Sequence, residues 1–165
     1  MKTITATLSP SSIDRMIKQL EGYKKRFETL CDRFMKALAE TGVVAATQEY
    51  AMDDAHLDDP PIQVTVTETD KGYSVTASGK QVVFVEFGAG TKTAVGDSRA
   101  ANVGVEIRPG SYSEQNAQEF STFGFWIYPA RNGKRYEYVE PHPGLWRARQ
   151  EIERQIERIA REVFQ

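Results

Sequence analysis

SPSSIDRMIKQLEGYKKRFETLCDRFMKALAETGVV, residues 9–44, sets the architecture of this chain. Its apolar side chains recur at alternating steps of three and four: Ile13, Met16, Leu20, Tyr23, Phe27, Leu30, Phe34, Ala37, Thr41 and Val44. That is a helical seam of period near 3.5. Ser9-Pro10 is a start signal, because Ser caps free amides and Pro tolerates the first helical position. Lys18, Lys24, Lys25, Arg26, Glu28, Asp32, Arg33 and Lys36 fall off the seam. Gly22 and Gly42 each cost about 1 kcal/mol against Ala in a helix interior. The expectation is therefore a long helix, broken near Gly22 and ended or bent near Gly42. The seam either packs on the chain's own sheet or reaches another subunit, since about 30 residues span about 45 Å.

Outward from this helix, residues 1–9 read as an extended lead-in and residues 53–61 as a polar connector. Ile62, Val64 and Val66 alternate with polar residues, Asp70-Lys71-Gly72 is a turn, and Tyr73, Val75 and Ala77 resume the alternation, which predicts a β-hairpin. Val82-Val83-Phe84-Val85 is a buried strand or a short buried helix, and periodicity does not choose between them. Residues 88–124 are rich in glycine and polar side chains and read as a long loop, 89–124, that is ordered only against neighbours. Phe125–Tyr128 reads as a strand, Asn132-Gly133 as a turn and Arg135–Val139 as the partner strand. After Pro141-His142-Pro143-Gly144, the residues Leu145, Ala148, Ile152, Ile156, Ile159 and Val163 form one helical stripe. Opposite charges at i,i+4 join Arg147 to Glu151, Arg149 to Glu153, Glu157 to Arg161 and Arg158 to Glu162. The predicted fold class is α+β: a long N-terminal helix, an antiparallel β-sheet with a long inserted loop, and a C-terminal helix, in one domain over residues 1–165. A charge at Phe27 or Ile152 would lie on an apolar stripe and is expected to destroy the fold.

With 165 residues, 21 Lys+Arg against 23 Asp+Glu and a net charge of -2, the chain as a whole has no electrostatic drive toward nucleic acid or anionic membrane. A single cysteine, Cys31, rules out an intrachain disulfide and suits a reducing compartment. The first nine residues lack the apolar core of a signal peptide, and no apolar run is long enough to span a bilayer.

Catalytic patterns are absent from the sequence. His56 and His142 are too few for a histidine metal cluster and read as solvent-exposed loop residues. Asp53, Asp54, Asp58 and Asp59 lack the EF-hand spacing and its glycine. Gly88-Ala89-Gly90-Thr91-Lys92-Thr93 departs from the phosphate-binding loop, which needs Gly directly before Lys. Cys31 reads as a buried, inert thiol. These readings predict a non-enzymatic protein without metal or cofactor. Arg131, Lys134 and Arg135 beside Trp126, Tyr128, Tyr136 and Tyr138 support an alternative, a small nucleic-acid-binding module built on the 125–138 hairpin.

Val82-Val83-Phe84-Val85-Glu86-Phe87-Gly88-Ala89-Gly90-Thr91, an apolar run followed by Glu-Phe-Gly-x-Gly, resembles the central motif of a family of phage neck proteins. These are the tail-completion or head–tail joining proteins of long-tailed double-stranded DNA phages and prophages. The long first helix, the alternating hairpin, the glycine-rich loop, the strand bearing Trp126 and Tyr128, and the proline turn into a helix ending Ala160-Arg-Glu-Val-Phe164 follow in the same order. Two features depart from the pattern. Ser111–Ser121 replaces a glycine/lysine-rich run, and Leu145-Trp146 follows the proline turn. The resemblance implies a structural virion protein of the neck, assembled in the bacterial cytoplasm. It implies a ring, six-fold to match a tail tube, contacting connector and tail-terminator or tail-tube proteins, through which DNA passes without specific binding and without membrane contact. Glu86, Phe87, Gly88 and Gly90 would form the loop root, and Trp126, Tyr128, Pro143 and Trp146 are the candidate interface. Glu86, between Val85 and Phe87, is expected to be partly buried and to need a partner. Gly88 and Gly90 are expected to allow positive φ.

Overall fold

The computed structural model of the chain describes residues 9–53, 60–90, 118, 126–128, 134–136 and 138–165. The architecture is α+β, with a long N-terminal helix, antiparallel strand pairs and a C-terminal helix. Helix α1 runs from Pro10 to Tyr50 without interruption. Ser9 caps it, its hydroxyl accepting from the Ser12 amide at 3.4 Å. The helix neither breaks near Gly22 nor ends near Gly42, two of the outcomes expected from those glycines. A helix of this length propagates across a single glycine, because the hydrogen bonds on both sides outweigh a local loss of about 1 kcal/mol.

Strands β1 (Gln63–Thr69) and β2 (Gly72–Ser78) form the predicted hairpin, in register from Gln63 opposite Ser78 to Thr69 opposite Gly72. The alternation holds: Ile62, Val64, Val66, Tyr73, Val75 and Ala77 are half-buried and their neighbours Gln63, Thr65, Thr67, Ser74 and Thr76 exposed. The segment left open by the sequence is a helix, α2 (Val82–Phe87). Short strand β3 (Ala89–Gly90) follows, so the long inserted segment begins two residues later than expected. Strands β4 (Trp126–Tyr128), β5 (Lys134–Tyr136) and β6 (Tyr138–Val139) precede the last helix, α3 (Gly144–Phe164).

The expected single partner strand, Arg135–Val139, is divided. Lys134–Tyr136 pairs with β4, whereas Tyr138–Val139 pairs with β3. The described strands thus form three two-stranded ladders, β1-β2, β3-β6 and β4-β5, in place of one sheet. The Asn132-Gly133 turn, His56, and loop residues 91–117 and 119–124 lie outside the described residues.

Helices α1 and α3 pack antiparallel. Tyr50 meets Gly144, Gly42 meets Ile152, and Phe34 meets Phe164. The buried residues on α1 are Leu38, Ala39, Gly42, Ala46 and Tyr50, and all but Ala39 recur every fourth position. This displaces the C-terminal half of the expected seam, and Val44 is 56% exposed. The reason is size: ridges four residues apart interdigitate best where small side chains let the axes approach. At Gly42 an added Cβ would lie 2.7 Å from Ile152 Cδ1 and 3.3 Å from Val75 Cγ2, so α1, α3 and β2 converge on that position. Ala46, Tyr50, Val85 and Ala148 make the central cluster, against which Ile62, Val64, Ala77 and Leu145 pack.

The α3 stripe follows the sequence closely. Ala148 and Ile159 are buried and Leu145, Ile152 and Val163 half-buried, with Ile156 left exposed. Three of the four predicted ion pairs form, Arg149–Glu153 at 2.9 Å, Arg158–Glu162 at 2.6 Å and Arg161–Glu157 at 3.4 Å. The fourth does not. Arg147 turns to Glu49 of α1 at 3.5 Å, and Glu151 takes Arg154 instead at 2.8 Å.

Because α3 reaches only as far as Phe27 and Phe34, whose rings lie 6.1 and 5.7 Å from that of Phe164, the first half of α1 extends past its partner. Ile13, Ile17, Leu20 and Tyr23 are exposed there, and Phe27 is 61% exposed. Phe27→Asp should therefore remove an edge contact and leave the fold in place, in contrast to the expectation from the seam. The two glycines give a sharper test. Beyond the helix's own nearby backbone no atom lies within 4 Å of a Cβ placed on Gly22, so Gly22→Ala should stabilise by about 0.5–1 kcal/mol. Gly42→Val should destabilise by about 1–3 kcal/mol through overpacking. Urea unfolding of both variants checks the pair, and equal shifts of the same sign would show that Gly42 is not a packing position.

Candidate functional site

The Glu-Phe-Gly-Ala-Gly segment lies where the C-terminal end of α1, the short α2 and the start of α3 meet. Glu86 is 5% exposed. Its Oε2 accepts the Tyr50 hydroxyl at 2.8 Å and the Leu145 backbone amide at 3.1 Å. A buried carboxylate needs such donors to offset its desolvation. The second bond also solves a problem at α3. Pro143 occupies the N-cap position and makes no side-chain capping bond. Glu86, 59 residues away in sequence, therefore supplies the carboxylate that caps an orphan amide in the first turn, where the helix dipole favours negative charge.

The surrounding contacts tighten the same junction. An added Cβ on Gly144 would lie 2.5–2.7 Å from three Tyr50 ring atoms, so only glycine lets the helix start rest on that ring. The His142 amide donates to the Val85 carbonyl at 2.6 Å. Phe87 is buried, and Gly88, at φ 71° and ψ 177°, lies in a region that glycine alone adopts freely. The next two residues then pair with β6, Ala89 opposite Val139 and Gly90 opposite Tyr138. Of the two glycines expected to need positive φ, Gly88 does, whereas Gly90 is a paired strand residue. A glycine-rich sequence does not distinguish a turn from a strand entry, because glycine is compatible with both.

Sequence-predicted residues divide accordingly. Glu86, Phe87, Gly88, Gly90 and Pro143 are brought to one junction. Trp146 stands apart on the exposed side of α3, with the Arg149 guanidinium 5.3 Å over its ring. Trp126 and Tyr128 belong to β4, where Trp126 is opposite Tyr136. Tyr50 and Gly144 escaped the sequence reading, because a Tyr–Glu pair 36 residues apart carries no local signal. His142 is half-buried, not solvent-exposed, and its Nδ1 lies 3.9 Å from Glu49 Oε1. Cys31 is half-buried and not fully enclosed.

Chemically the junction is a lock. Burial first, and then the Glu86 charge and hydrogen bond, push the Tyr50 phenol far above its ordinary range, so it stays a donor. At the other end of the hairpin, Tyr73 donates to Asp32 Oδ1 at 2.8 Å, and that bond leads the effects that hold its phenol up at about 12. Among the described residues no group of three His, Cys, Asp or Glu could hold a metal ion, and no helix is long and apolar enough to cross a membrane. Comparison with protein-family models, curated proteins and solved structures finds no match.

Two outcomes follow from this geometry. Glu86→Ala leaves two donors without their acceptor and should cost about 1–3 kcal/mol for each that stays dry, and Gly144→Ala about 1–3 kcal/mol by overpacking. A melting shift under 1 °C for both would show that the junction is not a packing constraint. The Tyr50 phenol is raised in the folded state, so its stabilisation is present below the unfolded phenol's value near 10 and declines as pH rises above it. Tyr50→Phe should be less stable at pH 7 and lose stability less steeply between pH 9.5 and 11.5. Parallel pH slopes for the two proteins would exclude this contribution.

Proposed function

We propose that the chain is a non-enzymatic structural subunit of a phage or prophage neck, completing the tail and joining it to the head. In this reading it assembles in the bacterial cytoplasm as a ring, six-fold to match a tail tube. The ring meets connector and tail-terminator or tail-tube proteins and surrounds the channel that DNA traverses.

The observation that carries the reading is the Glu86 junction. The segment that resembles the neck-family motif is the one the fold fixes to both long helices through Tyr50 and Leu145. Gly88 then turns the chain into β3, at the head of the long segment from residue 91. A joining subunit needs such a root, rigid at its base and leading to surface that meets a neighbour. The exposed Ile13, Ile17, Leu20, Tyr23 and Phe27 support self-assembly, since an apolar row of this length is disfavoured in water and suits a subunit contact. The lock chemistry of Tyr50 and Glu86 supports a role in which surface, not turnover, is the contribution.

Deletion of the gene should leave filled heads and complete tails that fail to join, or tails with abnormal ends, rescued only by comparable amounts of protein. Gly88→Val should mimic deletion, because a β-branched residue is strongly disfavoured at that φ, while Gly90→Val is compatible with its strand backbone. Electron microscopy of lysates is the test. Normally joined particles in the deletion strain would refute the assignment, and heads that fail to package DNA would move the protein to an earlier step.

A further inference from the structure

The near-zero charge balance of the whole chain hides a local asymmetry on α1. At about 100° per residue, Arg15, Lys18, Gly22, Lys25, Arg26, Thr29, Arg33 and Lys36 fall within an arc of about 100°. Six of these eight positions are cationic, and no Asp or Glu between residues 15 and 36 shares the arc. All six cations are exposed. None forms an ion pair with a described residue. The acids on the same stretch of helix lie outside the arc. Glu28 pairs with Lys24 at 3.9 Å and Asp32 accepts from Tyr73 of β2, while Asp14, Glu21 and Asp32 flank one edge of the arc, four residues before Lys18, Lys25 and Lys36, without forming ion pairs with them. Glu40 closes the row at its C-terminal end.

The row runs for about 32 Å, close to one turn of a DNA duplex. We propose that it is a docking surface for the sugar–phosphate backbone of duplex DNA, independent of sequence. The inference goes beyond the neck reading and does not rest on it. A straight row of cations without an apolar centre matches a uniform polyanion, whereas protein interfaces bury an apolar core with few charges. The exposed apolar row of Ile13, Ile17, Leu20, Tyr23 and Phe27 lies on nearly the opposite face of the helix, a layout shared with helices that lie on anionic membranes, and competition between duplex and vesicles separates the two.

The test is fluorescence anisotropy of a labelled 20-base-pair duplex titrated with the full chain. Affinity should fall about 10²–10³-fold between 50 and 200 mM salt, as for roughly five neutralised phosphates. The double variant Lys25→Glu/Arg33→Glu should weaken binding by about tenfold or more at 50 mM salt, with unchanged circular dichroism and melting. Lys71→Glu/Lys80→Glu, which alters net charge equally at exposed hairpin positions, should change it by less than about threefold. Arg15→Gln/Lys18→Gln removes charge without adding acid and should reduce the log–log salt slope by about 2. Equal weakening by the two Glu doubles, or a flat salt dependence, would overturn the proposal. So would binding to phosphatidylserine vesicles that excess duplex fails to compete.

Discussion

One buried carboxylate holds this structure to a single arrangement. Glu86 accepts from a side chain at the end of α1 and from the first turn of α3, and it projects from the helix that lies between them in sequence. Its burial is tolerable only while both donors are in place, and each donor is in place only if the two long helices are docked. The three elements therefore define one another's positions. A hydrophobic contact at the same place would add stability but would accept small slips in register. A hydrogen-bonded charge accepts few, because a displacement of an ångström leaves a desolvated carboxylate short of a donor.

The same junction explains an otherwise poor helix start. Pro141-His142-Pro143-Gly144 ends the strand and sets the chain direction, yet it contains no side chain that caps α3. Glu86 performs that task from a distance, and Gly144 allows the approach by leaving the Tyr50 ring uncovered. Removing the cap, the ring or the glycine disturbs one structural unit, so the effects of these substitutions should be strongly non-additive.

Helix α1 has two halves with different physics. Its C-terminal half is a packing helix, with small residues at Gly42 and Ala46 where α3 and the hairpin press closest. Its N-terminal half carries an exposed apolar row, covered only at Phe27 by Phe164, and a basic row on nearly the opposite face that forms no ion pair with a described residue. Much of this half lies past the end of its partner helix, and both rows carry the contacts proposed above. In the ring proposed above, a neighbouring subunit would cover the apolar row and a phosphate backbone the basic one.

Periodicity in the sequence was sufficient for the α+β class, the two long helices, the β1-β2 hairpin and the α3 stripe, because burial on one face of a helix or strand imprints a repeat of 3.6 or 2 on the chain. The helical state of Val82–Phe87 was not legible, since a continuously apolar run fits either structure when every side is covered. The packing row on α1 was misplaced toward Val44 for a related reason. A hydrophobic pattern marks which residues avoid water, but the closest contact line is chosen by side-chain size against the particular partner. The division of residues 134–139 between two ladders and the pairing of Tyr50 with Glu86 depended on the tertiary structure alone. Both join residues far apart in sequence. Nothing in the local composition encodes such a pairing, which exists only once the chain has closed the loop between them.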